Sequence, residues 1–165
     1  MELKKLFLEQ LEREGKASRK VIERVPEGQN SWKPHTRSME LGTLATLTAN
    51  MPGWVGLIIR TEELDLADPN RPRPKPLETR AELLAALDKA LADSRKALNE
   101  TTEEHLMKNW RLRMGDTVMS DQPRYVAIFD GAITHLAHHR GQLTVYLRLK
   151  DASVPAIYGP SADEQ

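Results

Sequence analysis

Three of the five histidines stand within one five-residue stretch, at His135, His138 and His139. On a helix His135 and His139 form an i, i+4 pair, stacked on one face about 6 Å apart, so both imidazoles can reach one cation. Gln142 lies one turn further along that face and His138 at its edge. A divalent metal held this way needs at least one more ligand from another helix, and an open position on it would let water be activated for hydrolysis. The alternative reading of the same residues is a polar stripe, hydrogen-bonded inside a helical protein or left to solvent.

Composition narrows the chemistry. The 165 residues contain no cysteine, which excludes a thiolate nucleophile, a disulfide framework and a sulfur-based zinc site. Lys plus Arg equals Asp plus Glu at 24 each, so no overall field favours nucleic acid or anionic lipid. The opening Met1-Glu2-Leu3-Lys4-Lys5 lacks the apolar run of a signal peptide, and no stretch reaches transmembrane length. The expectation is a cytoplasmic protein of one domain, residues 1–165, with no nucleic-acid or membrane partner.

The elements that must carry the histidines are helical. Leu3, Leu6, Phe7, Leu11, Val21, Ile22 and Val25 make one apolar stripe from Glu2 to Val25, interrupted by Gly15 and stopped by Pro26. A Gly- and Pro-punctuated loop follows. Ser38 then reads as the cap of a second helix carrying Leu41, Leu44, Ala45, Thr48, Met51, Val55 and Ile58, with a kink or a break at Pro52-Gly53. Pro69, Pro72, Pro74 and Pro76 stiffen a long crossover from Leu64 to Glu78, able to span the length of a bundle. Arg71, Arg73 and Lys75 within it read as a solvated linker. Thr79-Arg80-Ala81-Glu82 is a capping box for a third helix with Leu83, Leu84, Leu87, Leu91 and Leu98 on its stripe. Thr101 and Glu104 suggest a short helix to Trp110. Residues 110–122 are the least periodic, with room for a small hairpin or an ordered loop around Met114-Gly115-Asp116. Pro123 opens a fourth helix that runs to about Lys150, and an irregular tail follows. The fold class expected is all-α, a four-helix bundle.

The run from His135 through His138-His139-Arg140-Gly141-Gln142-Leu143 to Leu149 resembles the last core helix of the DinB/YfiT-like family. Trp32-Lys33-Pro34-His35, Leu41-Gly42-x-Leu44-Ala45, Pro52-Gly53-Trp54 and Val154-Pro155-Ala156-Ile157-Tyr158-Gly159-Pro160-Ser161 extend the resemblance over nearly the whole chain. It implies an up-down-down-up four-helix bundle, often a homodimer. It also implies a divalent metal, Zn or Ni, held by two helix-four histidines, here His135 and His139, and a third from helix two. Relatives include metal-dependent hydrolases and thiol-dependent transferases acting on small molecules. The third position of that pattern is Leu47 in this chain, and leucine ligates nothing. His35 precedes it by 12 residues, about 18 Å if helical, and Thr46 and Thr48 offer only neutral hydroxyls. His105 has no position that the sequence fixes.

Two readings of function follow. In one, the chain is a metal-dependent enzyme of hydrolase or thiol S-transferase type with an incomplete triad: His135 and His139 hold the metal, and His138, Gln142 and Leu47 line the cleft. In the other, it is a metal-free homodimer that binds a small molecule or serves a structural role. Trp54 is expected to anchor the kink or line a pocket, and Arg140, pointing away from the histidine face, to make a structural ion pair.

Overall fold

A computed structural model of the chain describes residues 2–72 and 75–165. The chain is mostly helical with one small sheet. Helix α1 spans Leu3–Ile22, while α2 (Leu41–Asn50) and α3 (Gly53–Arg60) are the two halves of the expected second helix, divided at Met51-Pro52. The short strand β1 (Glu63–Asp65) begins the crossover. Then come α4 (Arg80–Glu100), the short α5 (Glu103–Met107), β2 (Asn109–Met114) and β3 (Thr117–Pro123). The last helical segment is continuous but not uniform. It opens as α6 (Arg124–Ala127), widens to a π-helix over Ile128–Thr134, and continues as α7 (His135–Leu149).

Pairwise contacts set the helix directions. Glu12 meets Arg95 and Arg19 meets Asp88, so α1 and α4 are antiparallel. Thr46 Oγ1 accepts from Leu77 N, and Gly56 N donates to Ser94 Oγ, so α2–α3 run with α4. Tyr146 donates to the Met39 carbonyl while Trp54 stacks on His135, so α7 opposes α2–α3. Gly15, costly inside a helix, is there because α1 and α4 touch. A Cβ at that position would stand 2.8 Å from a Leu91 methyl.

Two apolar cores lie end to end. One gathers Phe7, Leu11, Val55, Ile58, Leu98 and Ile128; the other gathers Val21, Ile22, Leu44, Leu87, Leu143 and Leu147. Along α1 and α7 the buried polar residues Glu14, Ser18, His139 and Arg140 fall between them. The chemistry-bearing residues therefore occupy a polar layer sandwiched by two hydrophobic ones.

The all-α expectation is corrected by a three-stranded sheet in the order β1-β2-β3. Strands β2 and β3 form an antiparallel hairpin, turning at Gly115 with φ 58°, a left-handed backbone that glycine adopts at no steric cost. Strand β1 then pairs in parallel with β2, and Arg113 bonds Glu63 across the join at 2.8 Å. A three-residue strand whose partner lies 48 residues away leaves no periodicity to read.

Two helix starts also differ from expectation. Helix α2 begins at Leu41 rather than behind Ser38, because the carbonyls of Trp32 and Asn30 take the Leu41 and Gly42 amides. Helix α5 is capped by Thr102, not Thr101, through a 3.1 Å bond from His105 N. The Thr79–Glu82 capping box is present as read. Of the crossover cations, Arg73 lies outside the described residues.

Candidate functional site

The histidine pair is built by α7 alone. His139 is 7 % exposed, His135 is half-buried, and His138 and Gln142 face solvent. The Nε2 atoms of His135 and His139 are 2.9 Å apart, and His139 Nδ1 lies 2.8 Å from Gln142 Oε1. An amide oxygen only accepts, so Nδ1 of His139 carries the proton and its Nε2 presents a lone pair. His135 therefore donates its Nε2–H to that lone pair. Burial, the largest cause, pushes the His139 imidazole below its usual pKa against the opposing bond to Gln142, and the adjacent His135 and His138 push it the same way. At neutral pH this ring is uncharged, as a metal ligand or a base must be.

The facing wall comes from α2 and α3. Trp54 meets the His135 ring edge-on, with centroids 5.5 Å apart. Leu47 precedes Trp54 by seven residues, across the Met51-Pro52 division, and is half-buried. The hydroxyls beside it are occupied: Thr46 by Leu77 N, Thr48 by the Leu44 carbonyl at 2.8 Å. His35 is exposed in its loop, accepting from Arg37 N, and His105 Nε2 bonds the Ile59 carbonyl at the far end of α3. Neither joins the pair.

The π-helical turn sits immediately before His135. Such a turn accommodates one extra residue and so rotates everything after it by about one residue's worth of helix, roughly 100°. It sets which face of α7 the histidines occupy relative to Arg124, which is fully buried and ties the end of α3 to the sheet. Arg124 donates to the carbonyls of Ile58, Thr61 and Asn109 and pairs with Glu62 at 2.8 Å. Neither feature was read from the sequence. Pro123 marks only where the helix starts.

The opposite face of α7 holds Arg140, 1 % exposed, paired at 2.6 Å with Glu14, itself 2 % exposed. Tyr158 of the tail completes this cluster, donating its hydroxyl to Glu14 Oε2 at 2.6 Å while accepting from Arg140. The sequence placed Arg140 in an ion pair; its partners were not foreseen.

A metal of the kind the family resemblance implies can be tested against this donor set. Two nitrogens 2.9 Å apart match adjacent corners of an octahedral ion with bonds of about 2.0–2.1 Å and are closer than the roughly 3.3–3.4 Å of a tetrahedral zinc. One of the two is already locked as a lone pair. The pair offers a cation two protein ligands rather than three, once the proton that His135 Nε2 shares with His139 has moved to His135 Nδ1. Among the described residues no group of three or more His, Asp or Glu side chains gathers to hold a metal.

A mostly helical chain with paired histidines on its last helix describes a class of proteins, and comparison with known families says which one. The DinB family model matches residues 1–165, and the chain belongs to that family. It is 26 % identical over 161 residues to the uncharacterized protein YrdA of Bacillus subtilis (strain 168), covering 96 % of this chain and 89 % of that protein. The fold is similar to that of the DinB-like protein YjoA of Bacillus subtilis, with a TM-score of 0.68 at 16 % identity, over 97 % of this chain and 99 % of the other. It is also similar to a DinB-like protein from Bacillus cereus ATCC 10987, with a TM-score of 0.69 at 21 % identity, over 92 % and 95 %. At these identities the two structures speak to fold alone.

Proposed function

We propose that this chain is a metal-dependent DinB-family enzyme of hydrolase or thiol S-transferase type, in which His135 and His139 hold a divalent cation, Zn or Ni, beside an incomplete triad. The observation that carries the reading is the convergence of the two Nε2 atoms at 2.9 Å with Gln142 fixing the tautomer of one. When bound, the cation supplies Lewis acidity to a small-molecule substrate. The chain's own residues do the rest. Trp54 and Leu47 wall the groove with apolar surface, Gln142 orients His139, and His138 stands at the rim. Leu47 leaves the α2 side open to solvent or substrate, and affinity is lower than for three ligands.

The reading includes one domain over 1–165 in an up-down-down-up four-helix arrangement, supported by the parallel run of α2–α3 with α4 and the long crossover it requires. It includes a cytoplasmic homodimer. No helix among the described residues is long and apolar enough to cross a membrane, and exposed Phe129, Val145 and Leu149 on the last helix offer apolar surface to a second copy.

Calorimetric titration of tag-free protein with Ni²⁺ or Zn²⁺ tests the metal. The expected result is one weak site that disappears in His139→Ala. Absence of binding at on the order of 1 mM ion, a free energy of about −4 kcal/mol, would favour the second reading, a metal-free small-molecule-binding or structural homodimer. That reading has its own support: leucine at position 47 and imidazoles already bonded to one another.

A further inference from the structure

The tail motif from Val154 to Ser161 makes no bond to the histidine pair, yet it is held by many hydrogen bonds for an irregular segment. Ser161 Oγ donates to the Val154 carbonyl at 2.7 Å, Asp163 Oδ2 accepts Val154 N at 2.7 Å, and Glu164 Oε2 accepts Ala156 N at 3.0 Å. Its outward polar contacts go to α1, α7 and their ends: Lys20 to the Ala156 carbonyl, Arg24 to Ser153 and Glu164, Arg148 to Asp163. Val154 and Ile157 pack on the second apolar core. The segment is a strap over the α1–α7 seam, and Tyr158 is the one side chain it sends into the polar layer. The Tyr158 ring stays largely exposed while its hydroxyl reaches Glu14 and Arg140.

We propose that Tyr158 is a positioning residue: acting through Arg140, it holds α7 at the rotation that sets His135 edge-on against Trp54 of α3 with His139 beside it. Arg140 and His139 are consecutive, so their side chains leave the helix about 100° apart and turn together. The guanidinium is held by the Glu14 carboxylate, the Glu14 carbonyl at 3.2 Å, Ser18 Oγ at 3.3 Å and the Tyr158 hydroxyl. Tyr158 and Glu14 close a three-membered ring with it, Tyr158 accepting from the guanidinium and donating to the carboxylate. Without the phenol oxygen, one guanidinium N–H in a sealed site has no acceptor, a state buried polar groups avoid. Arg140 can shift toward the vacated edge to find water, and α7 turns with it, carrying the imidazoles off their shared axis.

The proposal rests on His135 and His139 being the working groups, but its readout needs no metal. Long-range ¹H–¹⁵N spectra of the imidazoles would be recorded for the full-length wild type, Tyr158→Phe and Arg148→Ala, with thermal midpoints and Ni²⁺ titrations alongside. Arg148→Ala removes a strap ion pair without touching the Arg140 cluster. The expected result is that Tyr158→Phe alone moves the His135 and His139 nitrogen resonances and weakens Ni²⁺ several-fold, while Arg148→Ala changes only the thermal midpoint. Unchanged imidazole spectra in Tyr158→Phe would overturn the proposal and leave the strap purely structural. If wild type binds no Ni²⁺ but the spectra still respond to Tyr158→Phe, the positioning stands and the metal reading falls. Should Tyr158→Phe not fold, Tyr158→Leu, which also removes the phenol oxygen and adds no imidazole, takes its place under the same criteria.

Discussion

His139 and Arg140 are neighbours on one turn of α7, both buried and both polar, and they are built in opposite ways. Arg140 is held from outside its own helix: the Glu14 carboxylate and carbonyl and the hydroxyls of Ser18 and Tyr158 take bonds from its two terminal nitrogens, and the tail closes over it. His139 bonds only Gln142 and His135, both from its own helix. A buried charge is tolerated only when it is paired and hydrogen-bonded, whereas a neutral imidazole needs no counter-charge. Bonds to a second imidazole and to an exposed amide on the same helix are ones a ligand can displace. The contrast separates a cluster that fixes structure from one left available for chemistry.

Breaking the Arg140 side should have the largest effect. Arg140→Ala leaves the Glu14 carboxylate buried without its cation, and urea unfolding should show a loss of about 3–5 kcal/mol. A loss within about 0.5 kcal/mol, ordinary for a surface change, would mean that Tyr158 and water suffice for Glu14 and that the two faces are not so different.

Completing the open side comes next. Leu47→His puts an imidazole on α2 at the third position of the family pattern. Leu47 is only half-buried, so the metal-free variant should lose about 1 kcal/mol. Zn²⁺ or Ni²⁺ at about 100 times its dissociation constant should return about 2.7 kcal/mol, read as a rise in melting temperature larger than in wild type. Equal rises in both proteins would mean that another group already supplies the third ligand.

The gentlest probe is pH. Burial raises the Glu14 pKa, but bonds from Tyr158, Arg140 and Arg13 together outweigh it and leave the carboxyl below its usual 4.5. A lowered acid contributes stability that is present above the unfolded-state value and lost as pH falls through the folded one. Stability measured by urea midpoint should therefore decline below about pH 4.5, and Glu14→Gln should flatten that decline. An identical acid limb in wild type and variant would assign it to other carboxylates.

The local signals were legible wherever the physics is local. The capping box at Thr79, the interruption at Pro52-Gly53 and the i, i+4 histidines each follow from residues within a few positions of one another, and each is present; of the hairpin and the ordered loop left open around Gly115, the hairpin is found. Ser38 failed as a cap because distant loop carbonyls, from Asn30 and Trp32, had already taken the helix donors. The π-turn left no mark that periodicity could register, since its seven residues read as ordinary helix.

By itself the sequence determined that the chain is helical, that two imidazoles share a face, and that leucine stands where a third would be expected. The apolar period and the caps impose the helices on any chain that carries them. Only the tertiary structure decided what those imidazoles meet and what holds them. Glu14 and Arg140 are 126 residues apart and Glu14 and Tyr158 are 144 apart. Such pairings exist only once two apolar cores have closed around them, because burial, not sequence proximity, makes a hydrogen bond between them obligatory.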